Sequence, residues 1–216
     1  MLHNYLRHTL PFCWLFLLTG CSFFNADKQP EGTIKTANEK VWQQHQQKIA
    51  QLNIWQVSGK AGIKTADDSG SASLFWLQQF TSFDIRLSGP LGRGATRIIG
   101  DTGQVTIDIA GQGRFTASTA EELVKQQLGW NLPVSHLTWW IKGLPAPDSP
   151  YTNVLNNDSR LEHLYQDNWS IEYKAYQELQ GYWLPQRIIA KSSDIQIILV
   201  IKQWNLTPSR DAIASK

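Results

Sequence analysis

The chain has 216 residues, of which 42% are hydrophobic and 18% charged, and a formal net charge of +2. That is enough apolar content for one sizeable core, and the near-neutral balance leaves no electrostatic footprint for a nucleic-acid partner. The two cysteines, Cys13 and Cys21, both stand near the N-terminus, which excludes a disulfide framework or a thiolate metal site in the rest of the chain.

The first segment reads as an export signal. His3, Arg7 and His8 make a weakly basic start. Leu10 to Leu18 follow as an apolar run, long enough for the hydrophobic region of a signal peptide and too short to span a bilayer. Leu18-Thr19-Gly20-Cys21 has the form of a lipobox: an aliphatic residue, two small ones, then the thiol that takes the lipid. The alternative is an ordinary cleavable signal with an incidental cysteine. The lipobox reading makes residues 1–20 a signal peptide and Cys21 the lipidated residue. It implies a membrane anchor of two or more acyl chains, since one chain holds a protein only marginally. Ser22, in place of the aspartate that favours inner-membrane retention in enterobacteria, points to the outer membrane, on its periplasmic face. Residues 21–36 are polar and read as a lipidated flexible tether.

A single domain is expected over 37–206, with 207–216 as a tail. Val41, Trp42, His45, Ile49 and Leu52 fall at helical spacing and predict an amphipathic helix. Alternation then predicts strands. Trp55, Val57, Gly59, Ala61 and Ile63 share one face of the first; Ala72, Leu74 and Trp76 share one face of the second, with Phe75 and Leu77 opposite. Phe83, Ile85 and Leu87, then Val105, Ile107 and Ile109, then Phe115 and Ala117 continue the pattern. Ser118 and Glu121 suit a capping box for a short helix bearing Leu123, Val124 and Leu128 and ended by Gly129. Ser135 precedes a second short helix with Leu137, Trp140 and Ile141. Residues 146–160 read as a polar loop. Strands resume at Leu161 and Leu164, at Trp169, Ile171 and Tyr173, at Leu184, Ile188 and Ala190, and at Ile195 to Ile201. The fold class is mostly β with short helices: an antiparallel sheet with one wetter face, whose apolar face must be covered by the helices. Its inward set would bring Trp55, Val57, Leu74, Trp76, Trp169 and Ile171, with Trp140 from a helix, around one cavity.

No catalytic constellation emerges. Gly-x-Ser-x-Gly, His-Glu-x-x-His and a phosphate loop are all missing from the sequence. His45, His136 and His163 lie in separate elements without a second ligand at useful spacing. No catalytic residue, metal or cofactor is expected. One turn stands out: Gly89-Pro90-Leu91-Gly92-Arg93-Gly94 places a leucine where turns are normally polar. Leu91 either folds back onto the core or points outward toward a membrane or partner, flanked by Arg93 and Arg97.

Taken together, several segments carry a family resemblance. They are Trp42-x-x-His45, Gly59-Lys60, Phe75-Trp76-x-Gln78, Pro90-Leu91-Gly92, Leu132-Pro133, Leu137-x-x-Trp140-Ile141-x-Gly143-Leu144-Pro145 and Trp169-x-Ile171-x-Tyr173. In this order the chain resembles the LolB family, the outer-membrane lipoprotein receptors of the lipoprotein-sorting pathway, over about residues 40–205. The resemblance implies an unclosed antiparallel β-barrel of about eleven strands with a three-helix lid over a Trp-lined acyl-chain cavity. It also implies a monomer that accepts acylated client lipoproteins from a LolA-like periplasmic carrier and inserts them into the outer membrane. Pro90, Leu91 and Gly92 match the family's membrane-insertion loop, so Leu91 inherits the delivery role. The readings set against this are a lipid-sensing envelope regulator of the same architecture and an envelope hydrolase.

Overall fold

The computed structural model describes residues 37–90 and 94–208. The signal peptide, Cys21, the tether to residue 36, Leu91, Gly92 and the tail from 209 lie outside the described residues. The described chain forms α1 (Glu39–Ala50), β1 (Ile54–Thr65), β2 (Ser69–Gln79), β3 (Ser82–Ser88), β4 (Thr96–Gly100), β5 (Val105–Ile109) and β6 (Gly113–Ala117). It continues with α2 (Ala120–Leu128), α3 (Val134–Trp140), β7 (Tyr151–Leu155), β8 (Leu161–Gln166), β9 (Trp169–Leu179), β10 (Tyr182–Lys191) and β11 (Ile195–Asn205).

All eleven strands belong to one antiparallel sheet in the order β6-β5-β4-β3-β2-β1-β11-β10-β9-β8-β7, and β6 and β7 remain unpaired with one another. The sheet is therefore unclosed. Because side chains alternate, register decides what faces inward. Val57 stands opposite Trp76 and Trp204, Trp76 opposite Ile85, Ile85 opposite Ile98, and Ile98 opposite Ile107. On the other wing Leu199 stands opposite Ile188, Ile188 opposite Tyr173, and Ile171 opposite Leu164. These inward rows are buried and form one continuous apolar core. Leu161 and Leu164 are both buried although three residues apart, because the β7–β8 register shifts between Val154 and Leu155.

The helices cover that core. Asn38 caps α1, its side chain accepting the Lys40 and Val41 amides at 3.0 and 3.3 Å. The helix lies across the end of the sheet where β1 begins. The Asn38 amide donates to Ser159 Oγ in the β7–β8 turn, and Lys48 Nζ to the Gly181 carbonyl in the β9–β10 turn. Its buried stripe is Trp42 and Ile49; Val41, expected on that stripe, faces solvent. The α2 cap sits one residue later than expected. Thr119 accepts the Glu122 amide, while Ser118 donates to the Glu122 carboxylate. Gly129 ends α2 at φ +75°, a left-handed C-cap that glycine adopts without strain. Ser135, expected to precede α3, lies inside it. No side chain of its own caps α3; instead Glu121 of α2 accepts the Ser135 amide at 2.8 Å.

Two strands escape the alternation. Tyr151–Leu155 forms β7 where a loop over 146–160 is expected. As an edge strand it is exposed or half-buried throughout, so it carries no hydrophobic period. The five-residue β4 places Ile98 inward and Ile99 outward, which blurs the period-two signal.

Gly59 sits where the β1–β11 register shifts, and a Cβ there would lie 2.0 Å from the Val200 carbonyl oxygen. Gly59→Ala must open this central strand pair. It is expected to destabilise the chain by about 2–3 kcal/mol, read as a lower urea midpoint with little change in slope. A wild-type midpoint would show that the bulge relaxes freely.

A second prediction concerns His45 in α1. Burial, and then the charges of Arg160 and Lys48, lower its pKa from 6.5 to about 4. Its Nε2 is buried without a hydrogen-bond partner. Below pH 6.5 the unfolded chain takes up a proton that the folded chain refuses until about pH 4. Stability should therefore fall as pH drops through that window and level off below it. Solvent screening makes about 3 kcal/mol an upper limit. Urea unfolding from neutral to acid pH should show the decline, and His45→Gln should flatten it. An equally steep decline in that variant would assign the effect to other groups.

Candidate functional site

The inward tryptophans fall into two packed groups. Trp55 of β1 lies with its ring 5.3 Å from Trp76 of β2 and 5.5 Å from Trp204 of β11. Val57 and Leu74 are buried in the same core. On the other wing Trp140 of α3 lies 5.8 Å from Trp169 of β9, with Ile171 buried on the same strand. Most of their indole N–H groups are matched. Trp76 donates to Gln78 Oε1, Trp140 to Gln166 Oε1 and Trp204 to the Pro185 carbonyl.

An apolar cavity of about 70 Å³ lies between the sheet and the α2–α3 segment. Leu74, Trp76, Ile85 and Ile98 form its sheet wall, and Val124, Leu128, Trp130, Leu132 and Leu137 its helical wall. Of the residues expected to surround one cavity, Leu74 and Trp76 line this one. Trp55, Val57, Trp140, Trp169 and Ile171 are packed elsewhere in the core. The cavity continues outward into a groove of about 400 Å³, with Ala61, Ile63, Leu87, Leu128 and Trp130 common to both. The groove opens between the β1–β2 hairpin, through Asp68, Ser69 and Gly70, and the β3–β4 connection, through Gly89 and Gly94. Pro90, exposed, stands at the edge of that connection. Of the expected site residues, Leu74 and Trp76 therefore line the inner cavity and Pro90 stands beside its mouth.

The sequence reading missed several residues that shape the site. Trp130 and Leu132 sit in the linker after α2, where no period marks them; Leu128 was read only as part of the α2 stripe. Gln166 is buried at an inward strand position. It accepts from Trp140 Nε1 and the Ala146 amide, both at 2.9 Å, and donates to the Ala146 and Ser149 carbonyls. That saturated amide fixes α3 and the return segment to β8. A glutamine on the inward side of an alternating strand was the available signal. Tyr173 adds a bond to the Trp140 carbonyl at 3.0 Å. Among the described residues no group of three or more His, Cys, Asp or Glu could hold a metal ion, and no helix is long and apolar enough to cross a membrane.

Comparison with known proteins places this geometry. The fold is similar to that of a LolA-superfamily protein from Nitrosomonas europaea, with a TM-score of 0.54 at 11% identity over 84% of this chain and 98% of the other. The sequence matches the family model described as outer membrane lipoprotein LolB over residues 53–204. It is 48% identical to the outer-membrane lipoprotein LolB of Pseudomonas fluorescens over 93% of this chain and 96% of that one. The Pseudomonas paraeruginosa protein of the same name is 51% identical over 88% and 91%. With the matched segments running from β1 through β11, the chain belongs to the LolB family, the non-enzymatic outer-membrane lipoprotein receptors of the lipoprotein-sorting pathway.

Proposed function

We propose that the receptor holds the acyl chains of a client lipoprotein in the cavity bounded by Leu74, Trp76 and the Leu128–Leu132 segment. The chains enter through the groove beside Pro90. The observation that carries this reading is the unbroken run of apolar lining from the groove to the cavity. About 70 Å³ is far below the roughly 300–1,000 Å³ of a filled ligand pocket. Loading therefore requires the helical wall to move away from the sheet. The half-buried Leu128, Trp130 and Leu132 are the side of that wall that can yield. The Gln166–Trp140 bond holds the rest in place.

The chain's own anchor is acylated Cys21, following signal cleavage after residue 20. The client arrives on a LolA-like carrier, which must shield the acyl chains because exposing them costs about 25 cal/mol per Å². Passage between two apolar cavities avoids that cost, so no nucleotide or metal is needed. Leu91, which follows Pro90 in the sequence and matches the family's membrane-insertion loop, contacts the bilayer during delivery. Trp55, Val57, Trp140, Trp169 and Ile171 support the cavity as its packed surround and become lining only if the wall opens widely.

Two substitutions test acceptance and delivery separately. Leu128→Asp puts a charge at the half-buried junction of groove and cavity. It should lower capture of an acylated peptide at least about tenfold, equivalent to ~1.4 kcal/mol, while costing the fold only about 1 kcal/mol. Unchanged capture would remove the cavity from the acyl path.

Leu91→Glu should leave capture from the carrier intact and slow transfer into liposomes about tenfold, because burying a leucine tip is worth roughly 1.5–3 kcal/mol and a carboxylate opposes insertion. Wild-type delivery by that variant would make Leu91 a turn residue only. The intact mass of the mature N-terminus should show acylated Cys21, and a free N-terminus elsewhere would refute the anchor.

A further inference from the structure

A second pocket lies at the other end of the sheet, where β1 begins. It measures about 420 Å³ and is separated from the groove beside Pro90 by the apolar cavity. Two donors in its lining are under-satisfied: one has no hydrogen-bond partner and the other, a cation, has no counter-ion among the described residues. Trp55 is fully buried, and its indole N–H finds no acceptor. Lys142 is 3% exposed. Its ammonium donates to the Leu52 carbonyl at 3.3 Å and lies 4.4 Å over the Trp139 ring, but among the described residues it pairs with no carboxylate. A buried cation without a counter-ion and a buried N–H without an acceptor both call for the same thing, an oxygen anion.

The rest of the lining narrows the ligand. Phe83, Val105 and Val134 make much of the wall apolar. Two carboxylates, Asp101 and Glu121, also line the pocket, each already accepting backbone amides: Gly103 and Gln104 for Asp101, Ser135 for Glu121. Their charge disfavours a dianion such as a phosphate monoester. One cation and one neutral donor fit the two oxygens of a monocarboxylate. Val134 lines both this pocket and the apolar cavity, and Trp55 packs at a tilt against Trp76, which walls the cavity. An apolar chain attached to that carboxylate has a continuous path inward.

We propose that the pocket is a head-group site for a free long-chain fatty acid, its carboxylate on Lys142 and Trp55 and its chain running past Val134 into the acyl cavity. The inference rests on that cavity being an acyl site. Burial lowers the Lys142 pKa to about 8, so the side chain is still mostly protonated at neutral pH and gains from an anionic partner. The rim carries Phe80, 67% exposed at φ +53°, a strained backbone for a bulky residue that leaves an aromatic ring free at the entrance. A bound fatty acid would occupy volume that a client's chain needs, so free fatty acid would compete with client loading.

The test uses the full chain with Cys21→Ser, which attaches no lipid of its own. It is titrated with palmitate carrying an isotope-labelled carboxyl, with hexadecanol and with acetate. Palmitate should bind at least about tenfold more tightly than hexadecanol, the scale of one charged hydrogen bond, and its carboxyl resonance should shift on binding. Lys142→Met should bring acid and alcohol to within about twofold of one another, and Lys142→Arg should keep the preference. Trp55→Phe, which removes the N–H together with part of the buried ring, should weaken palmitate roughly threefold more than it weakens hexadecanol, and it carries the test if Lys142→Met does not fold. Equal binding of acid and alcohol by the wild-type chain overturns the head-group site. Acetate binding as tightly as palmitate overturns the chain path. Capture of an acylated peptide without palmitate binding sinks this inference alone, whereas failure of both sinks the acyl cavity itself.

Discussion

Everything in this structure answers to one constraint: an eleven-stranded sheet with an apolar inner face does not close on itself. A closed barrel would bury that face by its own strands and leave no edge. Here β6 and β7 stay apart, so the covering falls to three short helices. Helices of twelve, nine and seven residues are too short to be stable alone and hold their shape only through packing and caps. The fold therefore fastens them with specific polar bonds: Asn38 to Ser159 for α1, Glu121 to Ser135 between α2 and α3, and Gln166 to Trp140 for α3. The first and third join the cover to the sheet, and the second ties two covering helices to one another. Where no such bond is made, at Leu128 to Leu132, the cover rests on dispersion and burial alone. Those forces are non-directional and let two apolar surfaces separate and repack around an apolar guest.

The parts legible in the sequence were those with a strong period. β1, β2, β3 and β11 are long or regular, and their inward residues from Trp55 to Ile201 could be read from alternation. The eleven-strand count came from the family resemblance, since alternation alone passes over β4 and β7. Edge strands lack a buried face, and a five-residue strand with Ile98 and Ile99 side by side has no clear one. The helix caps were displaced for a similar reason. Ser118, Thr119, Glu121 and Glu122 offer two overlapping capping boxes, and only packing decides that Thr119 caps while Glu121 is left to serve α3.

The candidate site was less legible than the fold. Alternation puts Trp55, Trp76 and Trp169 on one face, but it does not say how far apart the two wings of the sheet stand. Trp76 reaches the cavity and Trp169 packs at a tilt against Trp140, a difference set by curvature and helix placement. Leu128, Trp130 and Leu132 straddle a left-handed glycine, where helical spacing ends and no other period begins. Lys142 looks like an ordinary surface residue at a helix end. Only the fold reveals that the segment after α3 dives inward, carrying the ammonium under the end of α1.

On the proposed acyl path, the direction of lipid traffic follows from the incompleteness of the cavity. A receptor that enclosed acyl chains as fully as a bilayer would have no reason to release them, since transfer free energy scales with apolar area removed from water. The resting cavity is small, and opening it separates surfaces that otherwise bury one another. Part of the gain from holding a client is therefore offset by the cost of parting Trp130 and Leu132 from the sheet. The bilayer imposes no such cost. A client chain in the open receptor lies uphill of the membrane by about the packing energy of that wall, and release lets the wall close again. On that path the same unbonded segment that admits the chain would supply the drive to expel it. Among the described residues the polar fasteners lie on α1, α3 and the α2–α3 contact, and they leave that segment held to the sheet by apolar packing alone.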